Sequence, residues 1–378
     1  MGRVRESSKC CADPSITRFR GDKLTEVARR NNNFDALRIA AAVAVILGHA
    51  TDLRGHPEGI AVVLGLPVSQ LGVAVFFVIS GYLITGSWER RPHLPRYLTS
   101  RVLRIIPGLA LVTVMAAFVL GPIVTVLSPQ AYFGSGETYS YLRNAVLLPN
   151  YLLPGVFVDN PYPLAVNGSL WTLPAEFACY LVVPVLGRLP KKLRVPSWVL
   201  FGLASVVLTT VLHLEFFGAR VQSAAAMWVF FAGGALVRLA LGTRHLRMDV
   251  AAVLLIVWLA FVAINPQYGL YAAWLALPYC LLAFGTQSTP VIRRASRYGD
   301  LSYGLYLWAF PVQQTVIHYF GVLPWGIDVV VVTGVTAVFA YASWHLVERP
   351  CMDLAQRLPW SREIIVRPSP IAEVSGSS

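Results

Sequence analysis

Charged side chains are scarce in this chain, where they make up 13% of the 378 residues. Soluble globular domains carry about 25% charged residues, so the composition argues against that class. Hydrophobic residues reach 56%, and the mean hydropathy is +0.59. They come in blocks close to the ~20 residues that span a bilayer. The composition therefore predicts an integral membrane protein embedded in a lipid bilayer.

Cysteine patterns and the short motifs of several enzyme classes are also missing. The five cysteines form no disulfide framework. Two interpretations stay open for the adjacent Cys10 and Cys11, namely acylation near the membrane or an incidental surface pair. No HExxH, CxxC, P-loop or GxSxG pattern occurs. We therefore predict no metal site and no nucleotide hydrolysis.

Ten apolar blocks predict an all-α polytopic bundle of about ten transmembrane helices. Their limits are Phe34–Thr51, Ser69–Trp88, Val102–Leu127, Leu170–Leu189, Ser197–Phe217, Gln222–Leu241, Val250–Asn265, Gly269–Thr286, Leu301–Phe320 and Ile327–Val347. Residues 128–169 are predicted to form a long outer segment, and long loops of this kind are often functional. Its stretch "YLRNAVLLPNYLLPG" is amphipathic and is predicted to lie on the membrane surface or to cap a cavity.

The distribution of basic residues predicts the orientation of these helices. If the helices alternate, 27 of the 31 Lys and Arg fall on the side of the N-terminus and 3 on the other side. Cytoplasmic loops of membrane proteins are enriched in Lys and Arg, so both termini are predicted to be cytoplasmic, in the plasma (inner) membrane. Because the basic residues are scattered between apolar blocks, nucleic acid is not a predicted partner.

Two terminal segments differ from the apolar part of the chain. Residues 1–33 are basic and have no apolar core of the length a cleavable signal peptide needs, so we predict a cytoplasmic segment. Residues 351–378 are predicted to form a cytoplasmic tail, partly disordered because of its Ser, Pro and Gly content. The membrane domain is predicted to span residues 34–350.

The first apolar block carries charge at both ends. Arg38 and His49 are eleven residues apart, about three helical turns, which places both side chains on one face. Charged groups at membrane depth usually face a cavity and mark function. The alternative is that Arg38 extends to the inner interface and His49 ends the helix at the outer one. Asp52, one turn after His49, either orients the imidazole or is an ordinary loop residue.

A carboxylate occupies the fourth block, in the stretch "NGSLWTLPAEFACY". Alternation places Glu176 about two turns below the outer surface, at a depth similar to that of His49. The nearby Pro174 frees a backbone carbonyl and is able to bend the helix. Two titratable groups at matching depth favour one shared pocket for Glu176 and His49 over a bond from Glu176 to a neighbouring helix.

Two arginines stand at the cytoplasmic edge of the third block, in "RYLTSRVLRIIP". Arg101 and Arg104 are three residues apart and therefore neighbours on one helix face. Paired guanidinium groups suit phosphate oxygens. Basic residues at a cytoplasmic edge also serve topology alone, and from the spacing that interpretation is favoured.

Six stretches together resemble the bacterial acyltransferase family three, membrane-bound O-acyltransferases that modify surface sugars and some secreted metabolites. In chain order they are "FDALRIAAAVAVILGH", "GVAVFFVISGYLITG", "RYLTSRVLRIIP", "NGSLWTLPAEFACYLVVP", "SYGLYLW" and "HLVERP". They cover nearly the whole chain from Phe34 to Pro350.

This resemblance implies roles for particular residues. His49 with Arg38 matches an arrangement that the family requires for activity. Arg101 with Arg104 matches a pair linked to acyl-CoA handling, so the resemblance favours a phosphate-binding role for this pair over a purely topological one. Glu176 matches the Glu of the SLWxLxxE motif. Supporting or acceptor-binding roles are expected for Asp35, Asp52, Ser80, Trp171, Tyr303 and Tyr306. One position departs from the pattern, because many relatives have His where this chain has Ala309.

The implied reaction moves an acyl group, acetyl by preference, from cytosolic acyl-CoA to a hydroxyl of a carbohydrate or of a glycosylated or lipid-linked acceptor. Arg38, Arg101 and Arg104 are expected to hold the CoA phosphates. His49 is expected to act as general base, with Glu176 orienting the imidazole, stabilising its charged form or binding the acceptor. A transient acyl-histidine stays open as a second route. The alternative function is a proton-coupled transporter, since intramembrane His, Glu and Arg suit one as well.

Overall fold

A computed structural model describes residues 32–55, 62–211, 215–216, 219–242, 246–295, 297 and 299–357. The predictions for the basic N-terminal segment, for the Cys10–Cys11 pair and for the tail after residue 357 lie outside these residues.

Each of the ten predicted apolar segments contains a long helix, although the fifth helix ends at Thr210, before the predicted limit of Phe217. The described part of the chain has ten long helices, which are α1 Phe34–Asp52, α2 Val68–Arg90, α3 Leu94–Met115, α4 Thr172–Gly187, α5 Lys191–Thr210, α6 Val221–Leu236, α7 Met248–Ile264, α8 Tyr268–Gly285, α9 Ser302–Phe320 and α10 Trp325–Ser343. The described strands form two short antiparallel hairpins, β1 Val62–Val63 with β2 Leu66–Pro67, and β3 Glu215–Phe216 with β4 Ala219–Arg220. The prediction of an all-α membrane protein is confirmed.

Several of these helices continue into irregular helical turns. A π-helical turn, Ala116–Leu120, and a short helix, Gly121–Val124, extend α3. A 3₁₀ turn, Gly168–Trp171, leads directly into α4. The π-helical turns Val237–Leu241 and Trp344–Glu348 follow α6 and α10, and the helix Arg349–Arg357 follows the second of them.

Eight helices of the described residues are long and apolar enough to cross a membrane, against about ten predicted. The first exception is α7, which is apolar but has only 17 residues. The second is α9, which has 19 residues but carries Gln313, Gln314 and His318. Both glutamines are fully buried, so these two amide groups face protein.

The third helix begins eight residues before the predicted start. Its N-cap residue is His93, whose side chain accepts a hydrogen bond from the Arg96 N–H, and Pro95 occupies the first turn. Proline is tolerated there because the first-turn N–H groups have no helical partner. The third apolar block is therefore the later part of a longer helix, and about two turns of α3 precede Arg101 and Arg104.

Two helices of the core, α2 and α6, touch backbone to backbone. A Cβ atom at Gly81 would lie 2.1 Å from the Phe231 carbonyl oxygen, and one at Gly234 would lie 2.2 Å from the Val78 carbonyl oxygen. Small residues allow this close approach, which in membranes takes the place of a hydrophobic driving force between helices.

Replacing Gly81 by alanine is expected to lower stability by about 1–3 kcal/mol, the usual cost of overpacking a core, because α2 and α6 must separate. The thermal unfolding midpoint of the detergent-solubilised protein measures this. Gly334→Ala on α10 is the matched control, since nothing lies within 4 Å of a Cβ atom there. Equal midpoints for the two variants would contradict the close packing.

Prolines inside helices expose carbonyl groups that side chains from other elements use. Pro184 lacks the N–H that would bond the Tyr180 carbonyl, and the Tyr97 hydroxyl donates to that oxygen at 2.9 Å. In α9, Pro311 frees the carbonyl of Leu307, to which Asn167 Nδ2 donates at 3.0 Å. These bonds fix α3 against α4, and the turn before α4 against α9.

Residues 128–169 form a folded segment that packs, with the turns that extend α3, into an apolar cluster including Tyr132, Tyr141 and Phe157. Its C-terminal part is held by Gln314 of α9, whose Nε2 donates to the carbonyls of Tyr162 and Ala165 at 2.8 Å each. Tyr162, in this C-terminal part, lines a cavity between the helices.

Candidate active site

Two large cavities lie between helices of the described residues. The first, here called the arginine cavity, has about 690 Å³ of empty space and the second, the histidine cavity, about 820 Å³, with the solvent at their openings included. The polar residues lining the arginine cavity are Arg38, Ser80, Arg101, Arg104, Thr172, Glu176, Tyr180, Ser302, Tyr303 and Tyr306. The polar residues lining the histidine cavity, with Trp171 counted for its indole N–H, are His49, Asp52, Ser69, Gln70, Tyr162, Ser169, Trp171, Thr172, Ser223 and Tyr306.

The three guanidinium groups of the arginine cavity differ in their partners. Arg104 donates to Asp300 at 2.7 Å, and its guanidinium lies 5.6 Å from the ring centre of Tyr303. Arg38 is 3.5 Å from Asp35. Arg101 has no carboxylate at salt-bridge distance among the described residues, and its Nε donates to the Ser100 hydroxyl at 3.2 Å. Arg101 is thus the cation with the least internal compensation.

The carboxylate of Glu176 is held by two hydroxyl groups. Ser80 Oγ and Tyr180 OH both donate to Oε1, each at 2.6 Å. The other oxygen, Oε2, accepts no hydrogen bond from the described part of the chain, and the side chain lines the arginine cavity. Glu176 therefore presents one acceptor to that cavity.

His49 has a carboxylate neighbour of its own. Its Nδ1 lies 3.5 Å from Asp52 Oδ2, and that oxygen also accepts from Ser69 Oγ at 3.4 Å. The edge of the imidazole packs against Phe310, with ring centres 5.2 Å apart. A carboxylate beside Nδ1 favours the tautomer whose Nε2 carries the lone pair, which is the arrangement of a general base.

The two cavities meet at Val73, Thr172 and Tyr306, which line both of them. The Tyr306 hydroxyl donates to the Ser169 carbonyl at 2.6 Å and also contacts Thr172 Oγ1. Ser169 is fixed in turn, because its N–H and its hydroxyl both donate to Asn167 Oδ1. A pair of buried hydroxyl groups thus marks the border between the cavities.

The prediction of one shared pocket for His49 and Glu176 is wrong. The two side chains line adjoining cavities, and the carboxylate next to the imidazole is Asp52. Pro174 lies in the first turn of α4, where a proline is tolerated because the first-turn N–H groups have no partner within that helix.

The remaining predicted residues are divided between the cavities. Arg38, Ser80, Arg101, Arg104 and Tyr303 line the arginine cavity, Asp52 and Trp171 the histidine cavity, and Tyr306 both. Asp35 lines neither and pairs with Arg38. The described residues contain no group of three or more His, Cys, Asp or Glu placed to hold a metal ion.

Sequence reasoning missed several residues of the site. Tyr180 follows Glu176 by four positions, a spacing that places both on one helix face and was a usable signal. Thr172 adjoins the predicted Trp171. Asp300 and Phe310 carry no signal, since one is a single acid in a loop and the other an aromatic residue in an apolar helix.

Comparison with known proteins identifies the class. The acyltransferase domain of the acyltransferase-3 family matches residues 31–345. An O-acetyl transferase of Shigella phage Sf6 is 28% identical over 345 residues, which cover 85% of this chain and 96% of the relative. Nodulation protein 10 of Rhizobium leguminosarum bv. viciae is 30% identical over 359 residues, 86% of this chain and 95% of the relative. No solved structure matches the chain.

A third relative, acyltransferase MdmB of Streptomyces mycarofaciens, is 28% identical over 197 residues, which cover 50% of this chain and 48% of that protein. The chain belongs to the acyltransferase-3 family, and it is a membrane O-acyltransferase. The family resemblance predicted from six short stretches is confirmed.

Proposed function

We propose that the protein transfers an acyl group, acetyl by preference, from acyl-CoA in the arginine cavity to a carbohydrate hydroxyl in the histidine cavity. The observation that carries this proposal is the pair of adjoining cavities, one lined by three guanidinium groups and the other by a His–Asp pair. The cavities differ in chemistry as the two substrates do.

The arginine cavity suits the donor. CoA carries phosphate groups at one end and a thioester at the end of its pantetheine arm, and guanidinium groups suit phosphate oxygens in geometry and charge. Arg101 and Arg38 bind the phosphates in this proposal, while Arg104 is engaged by Asp300. Because acyl-CoA is cytosolic, the arginine cavity opens on the cytoplasmic side, the side of both termini, and the membrane is the plasma membrane.

Glu176 lies where the pantetheine arm would pass. The arm contains amide N–H groups, and the unengaged Oε2 of Glu176 is an acceptor for one of them. The hydroxyls of Ser80 and Tyr180 hold the carboxylate in place, since both donate to Oε1. Glu176 is therefore a donor-binding residue here, and Asp52 takes the orienting role that the sequence left to Glu176.

The histidine cavity suits a sugar. Trp171 and Tyr162 supply aromatic faces, and Asp52 and Ser69 supply hydrogen-bonding groups for sugar hydroxyls. Similarity to a relative named O-acetyl transferase supports acetyl as the transferred group. The acceptor is a carbohydrate, free or as part of a glycosylated or lipid-linked molecule.

His49 acts as the general base. Its Nε2 takes the proton of the acceptor hydroxyl as the sugar oxygen attacks the thioester carbon, and Asp52 stabilises the imidazolium that forms. The carbon–sulfur bond then breaks, and the CoA thiolate leaves and takes the proton from His49. Direct attack needs no covalent enzyme intermediate.

The test uses membranes that contain the wild-type protein, acetyl-CoA labelled in the acetyl group, and a panel of methyl hexopyranosides. We expect CoA release that depends on the glycoside and base-labile label in the glycoside fraction. A proton-coupled transporter would leave the thioester intact, and that result would overturn the proposal. Exchange of labelled CoA into acetyl-CoA without glycoside would show an acyl-enzyme in place of direct attack.

A further inference from the structure

We propose that the Tyr306 hydroxyl is the oxyanion donor of the acyl transfer and that Thr172 releases it for this task. The inference rests on the proposed function, because it assumes a donor in the arginine cavity and an acceptor in the histidine cavity. It adds a catalytic residue at the border between them.

The position of Tyr306 follows from the arrangement of the cavities. The groups that bind phosphate and the base that takes the acceptor proton line different cavities, so the thioester carbonyl has to reach the border. Of the three residues that line both cavities, Val73 is apolar, and Thr172 and Tyr306 are the two with hydroxyl groups. These hydroxyls are the donors nearest to where the tetrahedral oxyanion forms.

Tyr306 is held rigidly. Its ring packs against Phe76, with centres 6.0 Å apart, and 6% of the residue is exposed. The O–H donates to the Ser169 carbonyl at 2.6 Å. Because the ring is fixed, rotation of the O–H away from Ser169 is the one movement that the donor has to make when charge develops, and a small reorganisation of this kind favours oxyanion stabilisation.

Thr172 provides the exchange partner. Its Oγ1 lies 3.3 Å from the same Ser169 carbonyl oxygen, within hydrogen-bond reach. When the thioester carbonyl arrives, Tyr306 turns its O–H to the carbonyl oxygen and Thr172 satisfies Ser169. No buried acceptor is then left unpaired, so the exchange avoids the cost of an unsatisfied polar group.

The step balances in atoms and protons. The acceptor oxygen forms a bond to the thioester carbon while His49 takes the hydroxyl proton, and the negative charge moves to the former carbonyl oxygen. Tyr306 donates a hydrogen bond to that oxygen and keeps its own proton. Collapse breaks the carbon–sulfur bond, and the thiolate takes the proton from His49.

Tyr306→Phe removes one oxygen atom and tests the role directly. We expect kcat to fall by about 10²–10³-fold, the usual loss for an oxyanion donor, with KM for acetyl-CoA and for the methyl glycoside within about twofold of wild type. The pH profile of the residual activity should keep its shape, because Tyr306 transfers no proton. Thr172→Val, which removes the hydroxyl, should also lower kcat. Thr172→Ser, which keeps the hydroxyl, should retain kcat near the wild-type value.

Tyr132→Phe is the matched control. The buried Tyr132 hydroxyl also donates to a backbone carbonyl, that of Ala117, at 2.8 Å, but it belongs to segment 128–169 and lines neither cavity. Thermal midpoints and binding of acetyl-CoA verify that each variant is folded. A kcat for Tyr306→Phe within threefold of wild type, or a rise in KM alone, would overturn the assignment. Absence of transfer by the wild type would instead refute the proposed function.

Discussion

Replacing His49 by alanine is expected to lower acyl transfer by about 10²–10⁴-fold, the range that general acid–base catalysis contributes. The imidazole is the one titratable base beside a carboxylate in the histidine cavity, with Asp52 Oδ2 3.5 Å from Nδ1. The loss should appear in kcat, since the phosphate-binding groups of the other cavity are unchanged. Label transfer from acetyl-CoA to a methyl glycoside measures it.

Chemical rescue separates a base from a structural histidine. Added imidazole should restore part of the activity by occupying the space of the missing ring. Asp52→Asn should lower kcat less, because it keeps the base and weakens only its orientation.

His318→Ala is the matched control for His49→Ala. The His318 ring packs against Phe157 and Tyr319 and does not line either cavity. It should keep transfer near the wild-type level. Retention of full activity by His49→Ala, with the protein inserted and folded, would contradict the role of the base.

The sequence predicts which segments are helical better than it predicts where the helices begin and which helices pack together. Apolar blocks predict helices because burial in lipid requires every backbone group to be bonded within the segment. The start of α3 was missed because its first turns are polar, and the signals there are the capping of His93 and Pro95. Hydropathy marks where lipid contact begins, while the cap marks where the helix begins.

Depth along a helix could be estimated from the sequence, but lateral position could not. Glu176 and His49 were placed at matching depth, which left open which helices stand between them. The answer depends on how α4 and α9 pack, and the border is made by Thr172 and Tyr306. Tertiary packing of this kind leaves no periodic signal in one sequence.

The partners of the paired arginines were also hidden from the sequence. Arg101 and Arg104 share one helix face as predicted, and both line the arginine cavity. The ion pair of Arg104 comes from Asp300, a residue 196 positions away. Spacing within a helix therefore predicted the pair but not the difference between its members.

That difference predicts two separate phenotypes. Arg101→Ala is expected to raise KM for acetyl-CoA by about 10–100-fold, because hydrogen bonds to charged groups contribute about 1.5–3 kcal/mol and 1.4 kcal/mol is a factor of ten. Acetyl-pantetheine, which lacks the phosphates, should react equally with wild type and variant. Steady-state kinetics with both donors measures the effect, and Arg143→Ala, at an exposed position of the outer segment, is the control.

Arg104→Ala should lower the stability of the fold more than it raises KM for acetyl-CoA, because Asp300 engages this guanidinium. It leaves Asp300 without the guanidinium that lies 2.7 Å away, and breaking a largely buried pair costs about 3 kcal/mol. The thermal midpoint should fall, and Asp300→Asn should lower it too. Because the double variant removes both charges, it should recover part of the loss. If instead Arg101→Ala and Arg104→Ala raise KM for acetyl-CoA equally and leave the midpoint unchanged, the two arginines act as one phosphate clamp, and the Asp300 pair does not set them apart.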